Sequence, residues 1–312
     1  MRTRVAVIGG GQSCEHEVSL ASAAAVAGAL ASVGYDVVPL TIDPRGDWRD
    51  NDRTVGLTGA VEVLRSCAVA IPVLHGPHGE DGTAAALLDL AGVPYVGSGV
   101  GAGALAMDKW ATKLVANGLG LAVADGVLLT KVTAASYQFT HPVVVKPVAA
   151  GSSHGVSLVT SAEELDGALS AALALDHRVL VEDVVAGREV DLAVLGRPDG
   201  SRVVAPALEV VVDGIFGHGE KYDGSAEFRV PAALSDAEAR QLEGAAVAMY
   251  DALGCAGVAR VDFFVTDRGP VLNEVNTMPG FTEQSQVPKM FAAAGTSYAE
   301  LLDLLVRDAL AA

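Results

Sequence analysis

Apolar and polar positions along the chain repeat with two different periods, and the period sets the expected element. Arg4–Ile8 is a short apolar run that ends in Gly9–Gly11, a strand feeding a glycine turn. Glu17–Val33 is rich in small residues and closes at Gly34, which predicts a helix, and Asp36–Thr41 reads as a second strand. Ala68–Leu74 is another apolar strand, ending at His75-Gly76, with a helix following near Gly82–Ala91. Alternating β and α segments predict an open α/β domain over residues 1–97, with ligand-facing loops at the C-terminal ends of its strands.

Glycine content rises over Gly97–Gly103 and the pattern changes. A helix is expected from about Leu105 to Gly118, then strands near Val127–Leu129, Val143–Val145, Val156–Val159 and Val179–Glu182. Ser161-Ala-Glu-Glu164 is a capping box that opens a helix to about Leu175. This stretch, 98–182, reads as a central α+β domain. The remainder, 183–312, carries strands near Glu189–Leu195 and Val203–Val212 and then a loop. A second capping box at Ser235 starts a helix that ends at Gly254, and a third at Ser297 starts a leucine-rich C-terminal helix.

The most informative segment is Gly257–Pro288. Val261, Phe263 and Val265 fall on one side of a strand and Arg260 and Asp262 on the other, with Val271–Asn276 as the return strand. A turn over Thr266–Pro270 centred on Arg268 sets Asp262 opposite Glu274 and Arg260 opposite Asn276. Two carboxylates directly across a ladder repel, and a cation between them removes the conflict. Asp262, Glu274 and Asn276 offer hard oxygen ligands, the type that suits magnesium held together with substrate phosphates.

Other polar loops add candidate chemistry. Lys146 ends an apolar strand and leads into Gly151-Ser152-Ser153, whose hydroxyls and flexible N–H groups suit a phosphate cradle. Gly9–Ser13 is neither a dinucleotide fingerprint nor a Walker loop, so alone it reads as a tight turn. Glu15 follows it, where a carboxylate either favours the helix dipole or faces a substrate ammonium. His75 begins a charged glycine loop, HGPHGEDG, at a strand's C-terminal edge, and belongs in a pocket; the HxxH spacing lacks firm metal-ligand geometry. Glu182 and Glu189, taken alone, read as ordinary surface carboxylates. Gly217–Tyr222 contains Lys221 and Tyr222 and fits either a disordered loop or a lid that excludes water.

The totals narrow the field. In 312 residues, Lys plus Arg number 21 against 38 Asp plus Glu, a net charge of −17. That argues against nucleic acid or an anionic membrane as partner but leaves nucleotides open, since a few focused cations suffice. Cys14, Cys67 and Cys255 are odd in number and far apart, so neither a disulfide framework nor a zinc site is expected. Neither a secretory signal nor an apolar run near 18 residues is apparent, which predicts a cytoplasmic protein.

Taken together, GGGQSCEHEVSL, HGPHGEDGT, VPYVGSGVGAGALAMDKWATK, VVVKPVAAGSSHGVS, VEDVVAGREVDLAVLG, EKY and RVDFF…NEVNTMPGFTEQS resemble the D-alanine–D-alanine ligases of the ATP-grasp superfamily over essentially the whole chain. The resemblance implies an α/β fold of three domains: an N-terminal first-substrate domain (1–97), a central ATP-grasp domain (98–182) and a C-terminal ATP-grasp and metal domain (183–312). It implies that ATP phosphorylates one D-alanine and that the amine of a second attacks the acylphosphate, for peptidoglycan precursor synthesis. Glu15 then binds the first ammonium beside Ser152 and Tyr222, and His75 lies near the first carboxylate. Lys109, Lys146, Ser153 and Lys221 contact ATP and its phosphates; Glu182 and Asp183–Val185 hold adenine; Glu189 takes the ribose. Asp262, Glu274 and Asn276 bind two magnesium ions, with manganese as a substitute. Arg260 and the Gly280 N–H stabilise the oxyanion, and Ser285 receives the second carboxylate next to Gln286. A homodimer acting on small amino acids is implied as well.

Departures from the family pattern fall near the lid and the acceptor pocket. Thr83 is followed by Ala84-Ala85-Ala86, Ala150 precedes the Gly-Ser-Ser loop, Gly217-His218 replaces an Asp-Tyr pair, and Gln286 stands where an apolar residue is usual. Lys221-Tyr222 is kept, which favours an amine acceptor over D-lactate, and D-serine or another amino acid stays open as acceptor. A non-catalytic nucleotide-binding protein is the remaining alternative, against which the intact Asp262, Glu274 and Asn276 set speaks.

Overall fold

The computed structural model describes residues 2–211 and 227–312. The chain runs β1 (Arg4–Gly10), α1 (His16–Ser32), β2 (Asp36–Ile42), β3 (Trp48–Asp50), β4 (Arg53–Thr54), α2 (Gly56–Arg65), β5 (Val69–Pro72) and α3 (Thr83–Ala91). It continues with α4 (Val100–Met107), α5 (Lys109–Gly118), β6 (Ala122–Val123), β7 (Gly126–Thr130), α6 (Lys131–Ala134), β8 (Val143–Pro147), β9 (Ser157–Val159), α7 (Ala162–Leu175) and β10 (Arg178–Asp183). The last part comprises β11 (Arg188–Gly196), β12 (Arg202–Val204), β13 (Leu208–Val211), β14 (Glu227–Arg229), α8 (Asp236–Leu253), β15 (Val258–Thr266), β16 (Gly269–Asn276), α9 (Gln286–Ala293) and α10 (Tyr298–Ala311).

These elements build three sheets. The first has the order β4-β3-β2-β1-β5, with β1 parallel to both β2 and β5. The second is β7-β10-β8-β9, and the third is β14-β13-β11-β15-β16-β6 with β12 on β11. The small residues of α1 have a packing reason: a Cβ on Gly9 of β1 would come within 2.5 Å of Ala23 Cβ. The helix therefore lies close on the strand, and Ser19 Oγ takes a 2.8 Å bond from the Gly10 N–H.

Two expected elements divide. The helix expected over 105–118 is interrupted at Asp108, whose side chain caps α5 by accepting from the Ala111 N–H at 2.9 Å. An interior Asp that can cap its own successor favours two short helices over one long one. The strand expected over 203–212 splits into β12 and β13, because Pro206 offers no N–H to continue the ladder; Val212 lies outside the described residues.

The β15–β16 hairpin has the expected pairs at its working end, Asp262↔Glu274 and Arg260↔Asn276. Its turn is tighter than expected. Thr266 pairs with Gly269 and Phe263 with Leu272, so the turn holds two residues, and a bulge at Asn273 restores the register at Asp262. The opposite face packs Val261, Phe263 and Val265 with Leu242, Met249 and Tyr250 of α8 in one buried cluster. Burying a side chain of that size is worth roughly 1.5–3 kcal/mol. Like charges across a ladder cost at most about 1 kcal/mol per pair. The apolar face therefore holds the carboxylates where they are.

Candidate active site

All three sheets contribute walls to one cavity of about 1200 Å³, the larger of the two described among these residues. Glu15 and His75 come from the first body, Lys109, Lys146 and Gly151–Ser153 from the middle, and Arg260, Glu274 and Asn276 from the hairpin.

At the first wall, Glu15 stands at the N-terminus of α1 but makes no capping bond with its side chain. Its Oε1 instead accepts from Ser152 Oγ, 137 residues away in sequence. Glycines make this meeting feasible: a Cβ on Gly151 would sit 2.3 Å from Glu15 Oε2. Ser152 and Ser153 adopt left-handed backbone conformations, with φ of 48° and 55°. Each such non-glycine residue costs of order 1–3 kcal/mol, so contacts such as Ser152–Glu15 must hold the loop in place. His75 is buried; its Nδ1 lies 3.1 Å from the Met278 carbonyl and its Nε2 3.3 Å from Ser22 Oγ. A carbonyl can only accept, so Nδ1 carries the proton and Nε2 accepts from Ser22. Burial pushes the His75 pKa down and keeps the ring neutral. Glu80, half-buried on the cavity wall, is pushed up to about 8 by burial and then by the charge of Glu15.

The second wall is cationic. Lys146, at the end of β8, sets Nζ 2.6 Å from Glu182 Oε2, and Lys113 sets Nζ 2.8 Å from Glu182 Oε1. Glu182 and Lys113 are each only 4% exposed. Burial raises the Glu182 pKa, but the two lysines outweigh it and hold the carboxyl below its ordinary value. Lys113 shifts down, with burial the largest cause. Lys109, one turn before Lys113 on α5, reaches Glu274 Oε2 at 3.2 Å and the Ala150 carbonyl at 3.2 Å. Burial opposes its charge, yet Glu274 carries its pKa above the ordinary lysine value. Ser153, Asp183, Val185 and Glu189 also line the cavity. Asp183 is half turned away, bonded to His141 Nε2 at 2.8 Å.

At the third wall Arg260 forks onto Asp262, with Nε–Oδ1 and Nη2–Oδ2 both 2.7 Å. Burial disfavours its charge, but Asp262, Asp191 and Glu274 raise its pKa further above the ordinary arginine value. Each carboxylate of the expected metal pair thus already has a cation of its own, Arg260 on Asp262 and Lys109 on Glu274. Glu274 and Asn276 line the cavity; Asp262 is 2% exposed and does not line it. Asn276 donates Nδ2 to Asp262 Oδ2 at 2.9 Å, which leaves its carbonyl oxygen as the metal-type donor. Two carboxylates and an amide fit a hard cation in donor type, completed by substrate phosphates. Among the described residues no cluster of three or more His, Cys, Asp or Glu side chains forms a cage by itself, the HxxH loop included. Gly280 and Ser285 adjoin one another, and Ser285 Oγ accepts from the Thr282 N–H at 3.0 Å.

Of the residues singled out from sequence, Lys221 and Tyr222 lie outside the described residues; every other one except Asp262 lines the cavity. Three more belong with them. Lys113 carries a signal that sequence reading passes over, a four-residue spacing from Lys109 on one helix face. Asp191, 1% exposed, is opposite Asp262 across the β11–β15 ladder and so extends the carboxylate row to three. Ser22 shares a helix face with Ser19 and is visible only once His75 is beside it.

Phosphate-type cations and an amino-acid-type carboxylate open onto the same space, which is how an ATP-dependent carboxylate–amine ligase of the ATP-grasp fold is built. Comparison with known proteins gives the same class. The family model for the D-ala D-ala ligase C-terminus matches residues 118–307, and that for the N-terminus matches 4–61 and 49–98. A D-alanine–D-alanine ligase of Mycolicibacterium paratuberculosis is 42% identical over 358 residues, covering 99% of this chain and 97% of that protein. That of Mycobacterium tuberculosis is 39% identical over 358 residues, with 99% and 96% covered. Among solved structures, the VanG D-Ala:D-Ser ligase from Enterococcus faecalis superposes with a TM-score of 0.84 at 33% identity, covering 99% of this chain and all 100% of the other. The Bacillus anthracis D-alanine–D-alanine ligase complexed with ATP gives 0.81 at 29%, with 99% and 97% covered. The chain belongs to the D-alanine–D-alanine ligase family.

Proposed function

We infer that this chain joins two D-alanines at the expense of ATP, forming the dipeptide used in peptidoglycan precursors. The observation that carries the reading is the Glu15–Ser152 pair facing the same cavity as Lys146, Lys109 and Arg260. Glu15 supplies the charge for the first ammonium, oriented by Ser152 and, from the lid, Tyr222. Neutral His75 can donate nothing from Nε2 while Ser22 occupies it, so it acts by shaping the carboxylate end. The first carboxylate attacks the γ-phosphorus and ADP leaves; the second amine then attacks the acyl carbon, and collapse of the tetrahedral intermediate expels phosphate. Arg260 and the Gly280 N–H face the developing oxyanion, and Ser285 takes the second carboxylate. Lys109, Lys146, Ser153 and Lys221 meet the phosphates, Glu182 with Asp183–Val185 the adenine, and Glu189 the ribose. Magnesium, or manganese in its place, would be held as two ions by Asp262, Glu274 and Asn276, and when bound supplies charge compensation to the phosphates.

The division at 97/98 and 182/183 is kept as part of this reading. A cytoplasmic location and a homodimer are supported by the family resemblance alone; among the described residues no helix is long and apolar enough to cross a membrane.

With ATP, magnesium and D-alanine, the protein is expected to release ADP and D-alanyl-D-alanine in equal amounts, followed by coupled ADP detection and product mass. Folded protein that yields neither product would remove the reading. Lys113 positions Glu182 by holding one of its two oxygens, leaving the other to Lys146. Lys113→Met should raise KM for ATP about tenfold with a smaller change in kcat, the scale of one buried charge-assisted contact. Equal loss in KM and kcat, or in neither, would contradict this role.

A further inference from the structure

Between β16 and α9 the chain runs from Thr277 to Ser285 with no strand or helix to fix its backbone groups. Pro279 and Gly280 line the cavity there, while Met278 and Phe281 on either side of them do not. Pro279 has no N–H, so the first backbone donor after Met278 is that of Gly280. Among the described residues the Gly280 N–H has no acceptor within the protein. The peptide planes before and after it are both held from outside the segment. The Met278 carbonyl accepts from His75 Nδ1 at 3.1 Å, and the Phe281 N–H donates to Ser22 Oγ at 3.5 Å. Ser22, fully buried in α1, in turn donates to His75 Nε2 at 3.3 Å. The donors therefore run head to tail from Phe281 through Ser22 and His75 to Met278, an order in which each bond polarises the next. A further hold comes from α10, where Tyr298 donates its hydroxyl to the Phe281 carbonyl at 2.6 Å and the two rings lie 6.3 Å apart.

We propose that Ser22 and Tyr298 are positioning residues that, with His75 as the link between Ser22 and Met278, fix the direction of the Gly280 N–H. The inference rests on the ligase reading and deepens it. The amide plane of Gly280 lies between the Met278–Pro279 and Gly280–Phe281 planes, and a plane between two tethered ones is itself constrained. An oxyanion donor works best when its N–H is aimed before charge develops, because turning a free peptide costs part of what the bond returns. Packing alone does not supply that aim. Phe281 is already buried in one cluster with Val287, Phe291 and Leu301, which keeps the segment on the wall. What the polar contacts add is orientation. The Phe281–Ser22 bond is long, and its task is small: to select one orientation for a residue whose carbonyl Tyr298 already holds. Alignment of the backbone donor thus comes from α1 and α10, while Arg260 is aligned separately by its fork on Asp262.

Ser22→Ala removes the hydroxyl that joins Phe281 to His75. kcat/KM for the second D-alanine should fall about tenfold, less than the roughly 100- to 1000-fold cost of losing an oxyanion donor outright, with KM for ATP within about twofold of wild type. Tyr298→Phe keeps the ring beside Phe281 and removes one bond, so the same parameter should fall about three- to tenfold. A phosphinate analogue of D-alanyl-D-alanine puts a tetrahedral oxygen where the oxyanion forms. Its affinity should weaken by the same factor as kcat/KM in each variant, because analogue and transition state share that oxygen. Tyr35→Phe is the control: it removes a 2.7 Å hydroxyl bond to Asp303 on the same α10 but none to Phe281, and should leave both quantities unchanged. Equal losses in Tyr35→Phe and Tyr298→Phe would overturn the proposal, as would an unmoved kcat/KM and analogue affinity in Ser22→Ala. A fall in which KM for ATP and thermal stability change in step with kcat/KM would reduce the role to a structural one and overturn it too. If Ser22→Ala does not fold, Ser22→Cys, close in size and a far weaker hydrogen-bonding group, takes its place. Failure of the wild-type protein to release ADP and dipeptide would instead remove the ligase reading on which the proposal stands.

Discussion

Replacing Arg260 by lysine is expected to lower kcat about 100- to 1000-fold while ATP binding survives. Arg260 spends Nε and one Nη2 proton on the two oxygens of Asp262, both at 2.7 Å, and the fork leaves the rest of the guanidinium for the oxyanion. Lysine carries the charge but is a point donor that cannot bridge both oxygens and still present a fixed N–H to a third site. The loss should therefore appear in kcat and in kcat/KM for the second amino acid together, the pattern of an interaction made in the transition state. Arg260→Met is a harsher change. It strips the fork from Asp262, which is 2% exposed, and breaking a buried pair this way costs about 3–5 kcal/mol. Equilibrium denaturation of both variants separates the two effects: a kcat loss in Arg260→Lys that tracks its stability loss would argue against an oxyanion role.

Glu274→Gln is the second large effect. If Glu274 is a metal ligand, the amide keeps its size and loses its charge. Charge stabilisation by a bound metal is worth several kcal/mol, so turnover should fall by about 100-fold or more. The magnesium concentration for half-maximal rate should rise, and titration with magnesium at fixed ATP reads that directly. Lys109 should respond as well. Burial lowers its pKa, but Glu274, 3.2 Å away, with Glu80 and Glu182 behind it, outweighs burial and holds it above the ordinary value. With glutamine there, burial acts with less opposition and the Lys109 pKa falls, so any loss of activity as pH rises should begin at lower pH than in the wild type. A Glu274→Gln enzyme with wild-type turnover and an unmoved magnesium curve would undo the assignment.

How far the sequence could be read depended on the distance over which its signals act. The hairpin's pairing at Asp262 and Glu274 was legible because period-two alternation and one turn decide it locally. The first sheet was legible for the same reason, each apolar strand ending in its own glycine loop. Asp108 was readable in principle as a cap, yet the apolar run on either side of it masked the break. Pro206 carried a plain signal against one long strand that β-branched neighbours outweighed. Asp191 had no local signal, since what ties it to the cavity wall is a bond from Gln286, 95 residues further on. The Glu15–Ser152 contact spans 137 residues, and only the resemblance to a family put the two side chains in one place beforehand. Short-range periodicity predicts elements; it does not say which loop faces which.

The bulge at Asn273 has a consequence for how this hairpin can vary. Without it, strict alternation would put Leu272 and Glu274 on the same side, and a carboxylate would be driven into the apolar layer under α8. The buried positions of β16 are instead Leu272 and Val275, three apart. One surplus residue shifts the strand by half a period, so that its anchoring half and its chemical half run out of phase. Substitutions on the turn side of Asn273 are then screened by volume and those beyond it by charge, and a change acceptable on one side of that phase slip carries no licence for the other.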